Sequence, residues 1–152
     1  GSSWTRGQGW AVYGFMSSYL HTGKREYLDT ARRIADYCLE NIPSHGIIPI
    51  DFRQPPEPAY EDSCGACVIA GGLLELAKCL PERERGRYED GAVKILRAIG
   101  ESRADFGRGC DAIVQNCSSA YHVPEHHITM SYADYFFIEA VYKVKGIGRF
   151  LW

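Results

Sequence analysis

Arg6 and Trp10 stand four residues apart in Trp4-Thr5-Arg6-Gly7-Gln8-Gly9-Trp10, a spacing that puts both on one face of a helix. A guanidinium can grip a carboxylate or sulfate with two parallel hydrogen bonds. An indole beside it can stack on a sugar ring, so the pair suits a sugar acid. An arginine at a helix N-terminus also opposes the macrodipole, at a cost of a few tenths of a kcal/mol, which gives it a reason to face an anion. Gly7 and Gly9 would let a ligand or a neighbouring backbone come close. The competing reading makes Trp4 and Trp10 core residues and pairs Arg6 with an acid elsewhere in the chain.

Other candidates are less marked. Asp62-Ser63 opens an apolar run, where N-capping explains one of the two; Asp62 is then either cap or ligand contact. Ser131 and Asp134 read as a capping box, with Asp134, between Tyr132 and Tyr135, alternatively bracing a pocket. His122, His126 and His127 fall in Tyr121-His-Val-Pro-Glu-His-His. Pro124 disfavours the helix that would align two of them as zinc ligands. His126 and His127 therefore read as solvated loop residues, and His122, beside Tyr121, as solvated or touching a ligand. No G-x-S-x-G and no phosphate-binding glycine loop is present,. Glycoside chemistry uses paired carboxylates, and spacing marks no pair among Asp51, Asp62, Asp111 and Asp134. Six cysteines include Cys64-Gly-Ala-Cys67, but no second ligand pair has zinc spacing. They read mainly as small buried thiols in a reducing compartment, with a redox or metal role as the alternative. No metal or cofactor is expected.

Five helices must position these residues: about Trp10 to His21 with an earlier start open, Lys24 to Asn41, Ser63 to Leu80, Glu82 to Ile99, and Ser131 to Lys145. The first, third and fifth are apolar on most faces and need cover on most faces. The second and fourth carry one apolar stripe (Tyr27, Ala31, Ile34, Ala35, Cys38; Tyr88, Ala92, Ile95, Leu96, Ile99) and read as outer helices. No convincing strand is seen. Inner-to-outer joints are short, at Thr22-Gly23 and Pro81. The outer-to-inner joints are long, about twenty and about thirty residues, a length usual for functional loops. Antiparallel hairpins put both long loops, and the N-termini of all three inner helices, on one rim, a place suited to an anion.

Composition narrows the class. The 152 residues, 45% of them hydrophobic, with a formal charge of −2, suit one globular domain,. Seventeen basic residues against 19 acidic ones, with no basic block, give no support to nucleic-acid binding. No run of about 18 apolar residues is present to span a membrane.

Trp4-Thr-Arg-Gly-Gln-Gly-Trp-Ala-Val-Tyr-Gly-Phe resembles the W-x-R-G-Q-x-W-A-x-Y-G-F signature of the unsaturated glucuronyl hydrolases, glycoside hydrolase family 88. Two more blocks follow in order. Asp62-Ser-Cys-Gly-Ala-Cys-Val-Ile-Ala-Gly-Gly-Leu-Leu-Glu-Leu resembles D-S-S-A-A-A-I-A-A-x-G-L-L-E-L, and Tyr132-Ala-Asp-Tyr-Phe-Phe-Ile-Glu-Ala resembles Y-A-D-Y-Y-Y-L-E-A. Asp51-Phe52 echoes a D-F in the loop between.

The resemblance implies an all-α fold, an (α/α)6 toroid of helical hairpins with about half present here. Residues 1–152 would form the C-terminal portion of a single toroid domain. It implies a glycosidase that removes a 4,5-unsaturated uronic acid from the non-reducing end of lyase-generated oligosaccharides, such as those of glycosaminoglycans, by hydrating the C4–C5 double bond. By motif, Arg6 and Trp10 fall on substrate-contacting positions. Trp4, Gln8, Asp62, His122, Tyr132 and Asp134 complete the expected substrate-binding set. The family's two catalytic aspartates lie upstream of the W-x-R-G-Q block, so no catalytic residue is assigned to this chain. The expected partners are the unsaturated oligosaccharide and either the missing N-terminal half or a second copy. A cytoplasmic location is expected, with a periplasmic one as the alternative. The related unsaturated rhamnogalacturonyl hydrolases (family 105) have a signature nearer R-G-N-G-W. Gly9 leans that way, while Gln8 and the Asp62 and Tyr132 blocks lean back. A sugar-binding or self-associating helical scaffold is the non-enzymatic alternative.

Overall fold

A computed structural model describes residues 1–147; positions 148–152 of the expected domain lie outside it. Five helices carry the chain: α1 (Thr5–Thr22), α2 (Arg25–Asn41), α3 (Ser63–Lys78), α4 (Glu82–Ser102) and α5 (Ser131–Val144). No strand forms among the described residues. Four isolated antiparallel bridges stitch the loops instead, Trp4 to Asp51, Pro49 to Glu61, Ala104 to Val114 and Cys117 to Ile128.

The apolar helices run parallel. Contacts between α1 and α5 step down both together: Arg6 with Tyr132, Trp10 with Phe136, Tyr13 with Glu139. Between α1 and α3, Gly9 meets Val68 and Ile69, and Gly72 meets Val12 and Tyr13. The outer helices are parallel to each other as well, with Arg32 on Glu84 and Asp36 on Tyr88. Tight turns reverse the chain between inner and outer helices. Gly23, in the left-handed region at φ 68°, donates its N–H to the Tyr19 carbonyl and ends α1, as a C′ glycine does.

Helix α3 is the centre. Fourteen of its 16 residues are buried, because α1, α4 and α5 all pack on it and its small residues admit them closely. Helices α2 and α4 bury their single stripes, Leu28, Ala31, Ala35 and Cys38, and Tyr88, Ala92, Ile95 and Ile99. Helices α1 and α5 are covered on one side only. Trp10, Tyr135, Ile138, Tyr142 and Val144 remain exposed along them.

The inner helices also share a polar tie in their lower half. Lys143 Nζ lies 3.1 Å from Glu75 Oε1 and also pairs with Glu139, and the Tyr13 hydroxyl donates to Glu139 Oε1 at 2.9 Å. Burial, then the Glu139 carboxylate, push the Tyr13 phenol upward. Paired this way, the buried charges are compensated within the core.

Helix α1 begins five residues before Trp10 and takes in most of the glycine-containing block. The reason is tertiary. Trp4 occupies the N-cap and makes no capping bond, and the backbone before the helix is held by the 43–62 loop. Thr5 N–H donates to the Ile50 carbonyl at 3.0 Å and Phe52 N–H to the Ser3 carbonyl at 3.1 Å.

Candidate functional site

Arg6 lies in the first turn of α1, Asp62 precedes α3 and Tyr132 lies in the first turn of α5, so parallel packing brings all three to one rim. Arg6 is 4% exposed and Asp62 fully buried. Their pairing is bidentate: Nε to Oδ2 at 2.8 Å and Nη2 to Oδ1 at 2.9 Å. Nη2 also donates to the Ser118 carbonyl. Nη1 donates to the Tyr132 hydroxyl at 2.7 Å, which in turn donates a hydrogen bond to Met130 Sδ at 3.0 Å. Burial works to lower the Arg6 pKa, but the bonds and charge of Asp62 outweigh it, and the net shift is upward. Burial raises the Tyr132 phenol while the Arg6 charge opposes it.

Close approach is needed for this. A Cβ on Gly65 would lie 2.8 Å from Asp62 Oδ2 and 3.2 Å from the Arg6 backbone. Glycine there lets α1 and α3 meet beside the ion pair.

The rim thus holds an anion, but it is the protein's own carboxylate. Asp62 makes no N-capping bond; its oxygens face Arg6, and Oδ1 also accepts from Ser118 N–H at 3.3 Å. Arg6 is correspondingly a buried, partnered cation rather than an open one. The capping box at α5 does not form either. Asp134 accepts from the backbone N–H groups of Ile113 and Val114 at 3.1 and 2.7 Å. It holds the 103–130 loop, because two amides presented together outcompete a local cap.

The remaining expected residues surround this pair. Trp4 lies over Arg6, with the guanidinium carbon 5.7 Å from its ring centroid, a cation–π distance. Trp10 packs its ring 6.3 Å from Tyr132 and 5.1 Å from Phe136, leaving 37% of the residue exposed. Gln8 is half-buried on α1. Trp4 and His122 stand on an open cleft of about 530 Å³, together with Asp51, Arg53, Gln54 and Tyr121. A second cleft, about 460 Å³, lies between the loops at Tyr60, Glu61, Arg103, Asn116 and His127. The expected set therefore divides into a buried pair (Arg6, Asp62) tied to the exposed Tyr132, a cleft wall (Trp4, His122), an aromatic flank (Trp10), a half-buried Gln8 and a loop brace (Asp134).

His126 is not a solvated loop residue. Its ring stacks on Tyr60 with centroids 3.6 Å apart. His127 is exposed, in the left-handed region at φ 55°.

Residues outside the expected substrate-binding set complete the rim. Ser118 joins the Arg6 tie through its backbone, and a carbonyl has no signature in sequence. Glu61 takes Arg103 Nε and Nη2 at 2.6 and 3.0 Å, and Asn116 as well. Burial raises the Glu61 pKa, but the Arg103 and Asn116 bonds outweigh it and hold the group low. The separation of 42 residues between Arg103 and Glu61 hides the pair. Asp51 accepts from Ser2 Oγ at 2.5 Å, from Ser3 N–H at 2.8 and 2.9 Å and from Arg53 N–H at 2.7 Å. Asp51, Asp62 and Asp134 are thus committed to protein donors, a geometry for positioning rather than proton transfer.

The cysteines are free thiols. Cys38, Cys64, Cys67 and Cys117 are buried, Cys79 is half-buried and Cys110 exposed. Burial alone pushes Cys38 to about 12. Burial, reinforced by Asp62, likewise brings Cys117 to about 12. Among the described residues no group of three or more His, Cys, Asp or Glu could hold a metal ion. No helix of the described residues is long and apolar enough to cross a membrane.

Parallel apolar helices inside, striped helices outside and long loops on one rim define a part of an α/α toroid. Comparison with known proteins agrees. The chain is similar to the unsaturated glucuronyl hydrolase of Bacillus sp. (strain GL1), at 34% identity over 95% of this chain and 40% of that protein. It is also similar to the unsaturated chondroitin disaccharide hydrolase of Streptococcus pneumoniae (strain ATCC BAA-255 / R6), at 27% identity over 99% of this chain and 39% of that one. Among solved structures, the glycosaminoglycan-degrading unsaturated glucuronyl hydrolase from Bacillus sp. GL1 superposes with a TM-score of 0.86 at 34% identity, over 95% of this chain and 40% of that one. An unsaturated glucuronyl hydrolase specific for heparin superposes at 0.87 with 26% identity, over the same shares. No family model matches. In sequence and in fold the chain resembles the unsaturated glucuronyl hydrolases of glycoside hydrolase family 88. It spans about 40% of the length of the curated relatives it matches.

Proposed function

We propose that this chain is the C-terminal, substrate-binding portion of a glycoside hydrolase that releases 4,5-unsaturated uronic acid from oligosaccharides. The carrying observation is the parallel packing that gathers the W-x-R-G-Q, D-S and Y-A-D blocks on one rim and ties them through Arg6, Asp62 and Tyr132. In this reading Trp4, Trp10 and Tyr132 offer ring faces to the sugar, and Gln8 and His122 offer polar contacts. The buried pair of Arg6 and Asp62 fixes the three inner helix ends, and Asp134 fixes the loop beside them.

No carboxylate of this chain is assigned the proton transfer. The aspartate that protonates and hydrates the C4–C5 double bond belongs to the portion outside it, and the resulting hemiketal collapses to free the sugar. That portion completes the ring against the exposed flank of Trp10, Tyr135, Ile138, Tyr142 and Val144, a surface of the kind that marks an interface. The free, buried thiols support a reducing compartment, the cytoplasm.

The test is loss of the alkene absorbance of an unsaturated glucuronyl disaccharide. The full-length protein consumes the alkene and this chain alone does not. An inactive full-length protein that is folded and intact, offered disaccharides of several linkages, would overturn the reading.

A further inference from the structure

The N-cap of α1 holds an indole where sequence rules call for Ser, Thr, Asp or Asn. Trp4 makes no capping bond and directs its side chain to the cleft. Something else must hold the backbone that aims it. Ser3 is already engaged, since its Oγ accepts from the Tyr37 hydroxyl at 2.9 Å. The carboxylate that takes over comes from 48 residues along the chain.

We infer that Asp51 is a positioning residue that holds residues 2–4 so that Trp4 forms one wall of the substrate cleft. Both oxygens receive Ser3 N–H, Oδ2 receives Ser2 Oγ and Oδ1 receives Arg53 N–H. Trp4 and Asp51 face each other in an antiparallel bridge, so the carboxylate spans the two residues flanking Trp4 on its N-terminal side. Thr5 fixes the other side, donating its Oγ1 to the Pro49 and Ile50 carbonyls at 2.7 and 3.0 Å. Trp4 is therefore clamped before and after, with its indole over Arg6 and on the cleft. Asp51 is 6% exposed and all its donors are neutral. A carboxylate that accepts this many bonds has no orientation left for another role.

This inference rests on the proposed uronyl hydrolase reading for its kinetic arm, but not for its structural arm. The experiment uses the full-length protein carrying 5-fluorotryptophan, with the Trp4 resonance assigned by its loss in Trp4→Phe. Asp51→Asn replaces one accepting oxygen with a donor that faces Ser3 or Ser2. It shifts or broadens the Trp4 fluorine signal and leaves the other tryptophans in place. On an unsaturated disaccharide it raises KM by about tenfold, the equivalent of one or two net hydrogen bonds, with kcat little changed. In a Trp4→Ala background Asp51→Asn adds nothing further, because its effect passes through the indole. Should Asp51→Asn not fold, Ser2→Ala removes one donor from an exposed residue and moves the Trp4 signal the same way by less. A Trp4 resonance unmoved in the folded variants, or KM effects that add in the double variant, would overturn the inference. A moved resonance in a protein that consumes no unsaturated sugar supports the positioning role and counts against the hydrolase reading alone.

Discussion

Replacing Arg6 by alanine tests whether the rim is built around a buried pair or an open cation. Arg6 and Asp62 are 4% and 0% exposed, joined by two bonds of 2.8 and 2.9 Å. Removing the guanidinium strands a buried carboxylate, and breaking such a pair costs about 3–5 kcal/mol. At roughly 2–4 °C per kcal/mol for a chain of this length, the melting midpoint falls by about 6–20 °C. An exposed substrate-gripping arginine would instead leave stability within about 0.5 kcal/mol, the usual surface range. Arg6→Met with Asp62→Leu removes both charges and recovers most of the loss, since apolar replacement of a buried pair is often close to neutral. Far-UV circular dichroism during heating reads both variants. If Arg6→Ala melts with the parent, the buried-pair account is wrong. The same holds if the double variant melts as low as the single one.

The close approach of α1 and α3 predicts a sharp response at Gly72, where a Cβ would lie 2.8 Å from Val12 Cγ1 and 3.1 Å from the Tyr13 backbone nitrogen. Gly72→Ala should lose about 1–3 kcal/mol by overpacking in urea denaturation. Gly86→Ala on α4, with nothing within 4 Å, should gain about 0.5–1 kcal/mol from helix propensity. Acid should destabilise the fold through Asp51, Glu61 and Glu75. Burial raises each, but hydrogen bonds to Asp51, Arg103 on Glu61 and Lys143 on Glu75 outweigh it, so all three are held below their ordinary values. A carboxyl lowered by folding stabilises fully above its unfolded pKa, about 3.9 for Asp and 4.3 for Glu, and loses that contribution as pH falls toward the folded value. Urea midpoints should therefore decline below about pH 4.3, and a rise in that window would contradict the assignment.

The helices are legible because burial on one stripe leaves a periodic trace and burial on every face leaves a long apolar run. Tyr88, Ala92, Ile95 and Ile99 show the former on α4. The start of α1 is not, because its first amide is taken by the Ile50 carbonyl of a distant loop, while local rules look for a polar side chain at Trp4. Local signals also misled at α5. Ser131 and Asp134 have capping spacing, yet the two amides of Ile113 and Val114 win Asp134. For the site, the three blocks are readable as neighbours on one rim because short inner-to-outer joints make the inner helices parallel. The pairing of Arg6 with Asp62 is not, since nothing in a 56-residue separation says which acid a cation meets.

Among the described residues, both tight reversals between helices lie at one end of the helices and both long excursions at the other. Changes at the exposed positions of the 43–62 and 103–130 loops would reshape both hollows while the turns at Gly23 and Pro81 and the Lys143 tie below stay as they are. The molecule therefore separates a packed base from a looped crown, and the shape of the two hollows is decided in the crown.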